Sequence, residues 1–328
     1  MKVFSVITFI FTLSLLKVKG VPTPLSPEES SLPAALDTKK LLEPNPPVSH
    51  NVEFTLEYLD KATGKMKEHE ILIEIYGALT PKAASNFGAM ASGVRVKLNR
   101  KTNNIRVARY KNSLIGEIVA NKYITAGNIF SDFGGFSIFG KSFEDESLLL
   151  KHDRPGRVSL VSHGGPDTNN SEFMITTGLE PQVEFDGKNV VFGQVVRGLD
   201  VLLNDIQYLQ TGAKYVPVSP VKILYVVPNR IMRDDILIKQ REFLKNIEAF
   251  RNGDLSLGTT LSEMLASNVL QSNENRKIVP KAQENTHLQN ILMMLSIISL
   301  LFSAYRYKKT LFSFIPESSK SLFIKSNE

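Results

Sequence analysis

Two apolar runs, one near each end of the chain, confine the folded part of the protein to the residues between them. The first run is Val3–Leu16, which follows the positive charge of Lys2 and is broken only by Ser and Thr. A positive start followed by a short apolar stretch is typical of a cleaved secretory signal. We therefore predict a signal peptide over residues 1–20. An uncleaved membrane anchor is the alternative, because Lys17 and Lys19 lie in the cleavage region; both interpretations place the chain in the secretory pathway.

The second apolar run, Asn285–Tyr305, carries no formally charged residue. A helix needs about 20 apolar residues to cross a bilayer, and Arg306, Lys308 and Lys309 follow the run as cations follow a stop-transfer segment. We predict one transmembrane helix over residues 285–305, a cytosolic tail over residues 306–328, and a folded part in the lumen of the endoplasmic reticulum or a later compartment. A helix that lies on the membrane or packs in the domain is the alternative, because polar residues interrupt the run.

The composition excludes several kinds of site. Cysteine is absent, which excludes disulfides, zinc–thiolate sites, iron–sulfur clusters and thiol catalysis. No histidine has a metal-type spacing to a second one, so we predict no bound metal. The histidines are His50, His69, His152, His163 and His287. Lys plus Arg total 39 and Asp plus Glu total 33, a net charge of +6. This mild excess, in a secretory chain, predicts no nucleic-acid partner.

Two segments flank the predicted folded core, residues 51–228. Residues 21–50 contain seven prolines, and because proline removes a backbone donor and fixes the backbone, this segment is predicted to be an extended linker. Residues 229–284 begin with an amphipathic helical pattern over Ile231–Phe250 and continue into a Ser/Asn-rich stretch. We predict a helical stalk there between core and membrane; docking on the core or binding to a partner are the alternatives.

The core shows many short strand patterns and two helical ones. Val52–Leu59 and Glu70–Tyr76 alternate apolar and polar residues on either side of a turn, which predicts a β-hairpin. Thr80-Pro81 begins a helix that Gly93 ends. Apolar residues at helical spacing predict a second helix over Gly198–Gln210. Further strands are predicted over Val191–Val196 and Val221–Val227.

A basic stretch interrupts the core between residues 95 and 111. It holds seven basic residues and no acidic one: Arg95, Lys97, Arg100, Lys101, Arg106, Arg109 and Lys111. Such a stretch fits anionic headgroups or an acidic partner. A solvated loop or strand edge is the simpler interpretation.

Four segments of the core resemble those of cyclophilin-type peptidyl-prolyl cis-trans isomerases. They are Thr80–Gly93 (TPKAASNFGAMASG), Ser137–His152 (SIFGKSFEDESLLLKH), Pro166–Thr176 (PDTNNSEFMIT) and Asp186–Val195 (DGKNVVFGQV). Any one of them is weak, but four in the family's order are specific. The resemblance implies an all-β fold, an eight-stranded antiparallel barrel capped by two helices. It also implies a rotamase that isomerises prolyl bonds in proline-containing polypeptides and so assists protein folding.

The implied chemistry is rotation about the bond that precedes proline, which has an uncatalysed barrier of about 18–20 kcal/mol. It requires no covalent step, no metal and no cofactor. It does require an apolar pocket for the ring, donors for the neighbouring carbonyl, and a cation that hydrogen-bonds the proline nitrogen as amide resonance is lost. That last interaction stabilises the twisted state more than the planar ones, which is the condition for catalysis.

The resemblance also assigns site positions, and several carry unexpected residues. Tyr110–Asn128 aligns with the strand that holds the family's catalytic arginine, and Glu117 occupies the arginine position. The implied peptide-binding groove consists of Lys122, Tyr123, Thr125, Phe173, Met174, Phe185 and Asn189. A carboxylate has no donor to offer, so we expect weak or absent isomerase activity. The alternatives are a non-catalytic module that binds prolyl peptides or a partner at the membrane, an adaptor with an unused groove, and rescue by another cation. The cations considered for that rescue are Arg106, Arg109, Lys111 and Lys122.

One modification motif lies close to the implied groove. Asn169-Asn170-Ser171 is an N-glycosylation sequon with Asn169 as acceptor. A glycan there would obstruct peptide access.

Overall fold

The β-hairpin predicted from alternating apolar and polar residues forms the second and third strands of the main sheet. In the computed structural model, which describes residues 32–97, 105–231 and 234–265 together with residue 294, strand β1 is His50–Asp60 and strand β2 is Lys65–Ile75. Strand β1 buries every second residue from Val52 onward, as expected of a strand with one face on a core. The two strands pair antiparallel over their whole length, which confirms the predicted hairpin.

Six further strands join the hairpin in one antiparallel sheet. They are β5 Ile115–Val119, β6 Tyr123–Ala126, β7 Arg157–Leu160, β8 Phe173–Thr176, β9 Val191–Arg197 and β10 Lys222–Arg230. The order across the sheet is β10–β1–β2–β9–β7–β8–β6–β5. A separate two-stranded hairpin is formed by β3 Val94–Lys97 and β4 Ile105–Ala108. The predicted eight-stranded antiparallel architecture is therefore present.

The main sheet curls, so that its two edge strands meet at one corner. The N–H of Asn112 donates to the carbonyl of Ile223 at 2.7 Å, and the N–H of Ile223 donates to the carbonyl of Ser113 at 2.9 Å. The N–H of Ile115 donates to the carbonyl of Val221 at 2.9 Å. Edge strands otherwise present unpaired backbone groups, and these bonds satisfy part of both edges.

Helix α1, Pro81–Ser92, begins and ends where the sequence predicts. Proline occupies its first position, and Gly93 follows its last residue with a φ of 83°, a value that favours glycine. The first turn is capped from a distance, because the Glu146 carboxylate accepts hydrogen bonds from the N–H groups of Lys82 and Ala83, both at 2.8 Å. A negative charge at the N-terminal end of a helix also interacts favourably with the helix dipole. Glu146 belongs to the Ser137–His152 motif, which thus has a structural task.

The second predicted helix is shorter than expected, and the two helices pack on a shared core. Helix α2 is Leu199–Asn204, followed by a 3₁₀ turn at Ile206–Tyr208.

Phe87 of α1 is the centre of an aromatic cluster. Its ring centroid lies 5.0 Å from that of Tyr110 and 5.2 Å from those of Phe173 and Phe192. Aromatic contacts at these separations add stabilisation to that from buried apolar area, and here they join α1 to the sheet.

A C-terminal arm docks on the core, which is one of the alternatives left open for residues 229–284. Helix α3, Ile236–Arg251, buries Phe243 and Ile247, and both belong to a cluster of buried residues with Tyr76 and Leu150. Further along, the N–H of Leu42 donates to the carbonyl of Thr259 at 2.9 Å, and the N–H of Thr259 donates back at 3.0 Å. The described parts of the predicted stalk and linker therefore pack with the domain and with each other.

Ion pairs and hydrogen bonds hold this arm in place. Two of the three guanidinium nitrogens of Arg251, Nε and Nη2, donate to the Glu43 carboxylate, at 2.8 and 2.9 Å. The carbonyl of Glu43 accepts a bond from Arg154 Nη2 at 2.6 Å. Arg154 and Arg157 in turn pair with Asp153. Burial would raise the pKa of Asp153, but the two arginines outweigh it and lower that pKa to about 2, so the carboxylate is ionised.

The predicted terminal segments lie almost wholly outside the described residues. These are the signal peptide at 1–20, the transmembrane helix at 285–305, of which only residue 294 is described, and the tail at 306–328. In the described part of the chain, no helix combines the length and the apolar character needed to cross a bilayer. The three terminal assignments stay predictions.

Replacing Arg251 with alanine tests whether the ion pair holds the arm. The Glu43 side chain is 11% exposed, so the change leaves a nearly buried carboxylate without its cation, and we expect the free energy of unfolding to fall by about 2 kcal/mol. Arg241→Ala, on an exposed position of the same helix, serves as the control and should change stability by less than about 0.5 kcal/mol. Urea denaturation measures both. Equal effects of the two substitutions would contradict the role of the Arg251–Glu43 pair.

Candidate active site

Strands β5, β6 and β8 bring the aligned site residues onto the outer face of the main sheet. Thr125 on β6 lies directly opposite Met174 on β8, and side chains in such pairs share a face. The backbone N–H of Glu117 on β5 donates to Thr125 Oγ1 at 2.8 Å, which adds the third strand to the group. Thr125 and Met174 are buried, so they form the floor of the site.

The side chain of Glu117 is held by a phenol. Tyr123 donates its hydroxyl hydrogen to Glu117 Oε2, with 3.3 Å between the oxygens. Burial and the charge of Glu117 raise the pKa of Tyr123, so the phenol stays protonated and keeps donating. The residue that the sequence analysis aligned with the family's arginine thus accepts a hydrogen bond in this structure.

A second carboxylate, which the sequence analysis missed, is close enough to the first to be influenced by its charge. Glu172 directly precedes β8, and its side chain is only 12% exposed. Burial first, and then the charge of Glu117, raise the pKa of Glu172 to about 7. Nε2 of His163 lies 3.3 Å from Glu172 Oε2. The two-residue period of a strand was the available signal, because it puts Glu172 and Met174 on one face.

Phe185, Asn189 and Lys122 border the site on one side. The Phe185 ring meets the Tyr123 ring edge to face, with centroids 5.5 Å apart. Asn189 is buried, and its Nδ2 donates to the carbonyl of Leu160 at 2.8 Å, so its amide supports the wall. Lys122 Nζ pairs with Glu184 Oε1 at 3.2 Å. Six of the seven predicted groove residues thus lie on this face or at its border.

A buried histidine fixes this wall to the sheet. Nδ1 of His152 lies 3.0 Å from Asp186 Oδ1, and Nε2 lies 3.0 Å from Ser159 Oγ. Burial lowers the pKa of His152, so the ring is neutral; it donates to Asp186 and accepts from the Ser159 hydroxyl. The Asp–His–Ser arrangement resembles a hydrolase triad, but Ser159 is fully buried and offers no nucleophile to a substrate. His152 also packs on Phe185, with ring centroids 5.6 Å apart.

The resemblance implied that Phe173 lines the groove, but it does not. Its ring lies in the core, 5.3 Å from that of Tyr110 and 6.0 Å from that of Phe54. Successive residues of a strand point to opposite faces, so Met174 reaches the outer face only because Phe173 points inward. The structure corrects this assignment: Phe173 supports the site from beneath.

The structure leaves no room for a glycan at Asn169. This residue is 1% exposed, and its Nδ2 donates to the Phe143 carbonyl at 3.3 Å and to Asp145 Oδ1 at 2.7 Å. Glycosylation would replace a hydrogen on that nitrogen with a bulky sugar. The folded domain therefore does not accommodate the modification predicted from the sequon.

Comparison with known proteins decides the family. The model of the family described as cyclophilin type peptidyl-prolyl cis-trans isomerase/CLD matches residues 58–227. The chain belongs to this family. Three relatives from Saccharomyces cerevisiae show how far the similarity to cyclophilins extends.

Peptidyl-prolyl cis-trans isomerase CPR4 is 35% identical over 304 residues, which cover 92% of this chain and 94% of that protein. Peptidyl-prolyl cis-trans isomerase CYP8 is 25% identical over 312 residues, or 94% of this chain and 95% of that protein. Peptidyl-prolyl cis-trans isomerase B is 38% identical over 179 residues, or 54% of this chain and 78% of that protein. Similarity to the first two therefore extends beyond the cyclophilin domain itself.

Three of the four cations considered as replacements for the arginine contact other groups. Arg106 Nη1 pairs with Asp132 Oδ2 at 3.0 Å, and its guanidinium lies 4.2 Å from the Phe130 ring centroid. Lys111 Nζ lies 4.9 Å from the centroid of the Tyr225 ring. Lys122 pairs with Glu184, as described above. Arg109 is exposed, next to β4.

Replacing Glu172 with glutamine tests the raised pKa of that side chain. The folded protein keeps a proton on Glu172 up to about pH 7, whereas the unfolded chain loses it near the ordinary value of 4.5. Stability from this group is therefore lost as the pH rises through that window. Glu172→Gln should match the wild type at pH 4 and exceed its free energy of unfolding by about 2 kcal/mol at pH 8.

Urea denaturation at the two pH values measures this difference. Glu117→Gln is the matched control, because it removes only the smaller cause of the raised pKa and should stabilise the protein less at pH 8. A gain for Glu172→Gln that is the same at both pH values would contradict the assigned proton.

Proposed function

We propose that the cyclophilin domain of this chain binds proline-containing segments of polypeptides in the secretory pathway and isomerises them only weakly. The observation that carries this proposal is the carboxylate of Glu117, which Tyr123 holds by a hydrogen bond and which the sequence resemblance aligns with the catalytic arginine. The proposed reaction uses no metal and no cofactor. A non-catalytic module that holds prolyl peptides or a membrane partner is the second candidate, and the same observation favours it.

The charge at this position argues against efficient catalysis. As the prolyl bond twists, electron density returns to the proline nitrogen, and a donor placed there stabilises the twisted state. Glu117 instead accepts a hydrogen bond, and Glu172 adds a second carboxyl group on the same face. Loss of one preorganised donor typically costs about 10²–10³ in rate. An acid in place of a cation costs more, because it also repels the developing lone pair.

The apolar part of the groove supports binding without turnover. Met174 lies at the floor, and the rings of Tyr123 and Phe185 form an edge-to-face pair at the side. A proline ring is compact and apolar, so burying it against such side chains is favourable. The His152 bridge between Asp186 and Ser159 holds the wall in position before a peptide arrives, which reduces the ordering cost of binding.

The location of the domain is part of the proposal. The predicted signal peptide at residues 1–20 and the predicted transmembrane helix at residues 285–305 would place the domain in the lumen, attached to the membrane. Polypeptides that enter the lumen unfolded expose prolyl bonds, whose uncatalysed isomerisation takes tens to hundreds of seconds. A membrane-attached binding module would meet such chains early.

Replacing Glu117 with arginine is the decisive test. We expect the wild type to bind a proline-containing peptide but to isomerise it slowly, and Glu117→Arg to raise kcat/KM at least tenfold, since it supplies the missing donor. Glu68→Arg, on an exposed position of β2, makes the same charge change outside the site and should leave the rate unchanged. Isomerisation is followed with a chromogenic prolyl peptide, and binding is followed by calorimetry. Fast turnover by the wild type would contradict the weak-isomerase proposal, and absent binding by both forms would contradict either function.

A further inference from the structure

The β3–β4 hairpin presents a cationic and apolar face that the proposed function does not use. Cross-strand pairing places Arg95 opposite Val107 and Lys97 opposite Ile105, so these four side chains share one face. All four are exposed, with Ile105 at 62% and Val107 at 44%. Neither strand contains an acidic residue. Arg109 follows β4 and is exposed as well.

The opposite face of the hairpin fastens it to the domain. Val94 and Val96 pack against the hydrophobic core, and Ala108 is fully buried. Arg106, on this inner side, pairs with Asp132 at 3.0 Å and stacks over the Phe130 ring. The outer face is therefore presented by a ribbon with a fixed position, rather than by a solvated loop.

We propose that the outer face of the β3–β4 hairpin is a docking surface for an anionic phospholipid bilayer. The cations match acidic headgroups, and each one near such a surface strengthens partitioning about fivefold. Arg95 and Arg109 alone thus contribute about 25-fold. Ile105 and Val107 then reach the boundary between headgroups and acyl chains, where apolar side chains leave water favourably.

The apolar pair favours a bilayer over an acidic polypeptide. An acidic segment would satisfy the cations but would leave two β-branched side chains facing its charged groups. The hairpin also forms its own sheet apart from the main one, and a ribbon of this kind offers a surface for a flat partner. The inference rests neither on the groove on β5, β6 and β8 nor on the luminal location proposed above, and it holds whether or not that groove catalyses isomerisation.

The test uses a local probe, because the predicted apolar segment at residues 285–305 would attach the full chain to any vesicle. The chain contains no tryptophan, so Val107→Trp introduces a single indole on the proposed surface. The full-length variant is mixed either with vesicles of phosphatidylcholine alone or with vesicles that also contain about 30 mol% phosphatidylserine, an anionic lipid. We expect the indole emission to shift to the blue only with phosphatidylserine, and 0.5 M salt to reverse the shift by screening.

Charge-reversed variants of the probe protein separate a specific surface from net charge. Adding Arg95→Glu and Lys97→Glu should weaken the phosphatidylserine dependence at least tenfold. Adding Lys65→Glu and Lys151→Glu, at exposed positions on other elements, makes the same change in net charge and should leave the dependence intact. A thermal unfolding transition confirms that each variant is folded. If Val107→Trp does not fold, Ile105→Trp is the second reporter position.

Three results would overturn the proposal. The first is an emission that does not depend on phosphatidylserine. The second is an equal loss in both charge-reversed pairs, since net charge alone would then explain binding. The third is a shift caused by soluble poly-glutamate and not by phosphatidylserine vesicles, which would identify an acidic polypeptide as the partner.

Discussion

The pleat of strand β8 is the constraint on which both the core and the candidate site depend. Because successive residues of a strand point to opposite faces, Phe173 enters the aromatic cluster around Phe87 while Met174 forms the floor of the groove. The same alternation puts Glu172 on the outer face, near Glu117. A shift of register by one residue would exchange the two sets. Packing of the Phe173 ring therefore also fixes the geometry of the site.

Buried charge extends the folded unit beyond the strands. Removing ions from water is costly, and only close partners offset that cost. Asp153, Arg154 and Arg157 meet this condition among themselves, and Arg154 also donates to the backbone of Glu43, whose carboxylate binds Arg251. Arg154 thus binds the segment before β1, which in turn binds the segment after β10. This explains why the described parts of both segments lie against the domain rather than apart from it.

The scaffold of the family and its chemistry are separable in this chain. The Glu146 cap on α1, the eight antiparallel strands and the His152 bridge are structural devices that do not depend on the residue at position 117. A fold carries function only through the side chains placed on it. In the proposed site, Met174 forms a floor and Phe185 a side wall, while Glu117, which Tyr123 holds, aligns with the family's cation.

Elements whose signals are local could be predicted from the amino-acid sequence. Alternation in Val52–Leu59, proline at the start of α1 and Gly93 at its end each act within a few residues, so the hairpin and the helix were predictable, as was the acid at position 117. Long-range packing instead turns Phe173 toward the core and buries Asn169 with bonds to Phe143 and Asp145. It also brings Glu172 under the influence of the Glu117 charge and packs α3 against the domain. Those outcomes depend on residues far apart in the chain, whose contacts exist only once the sheet has curled.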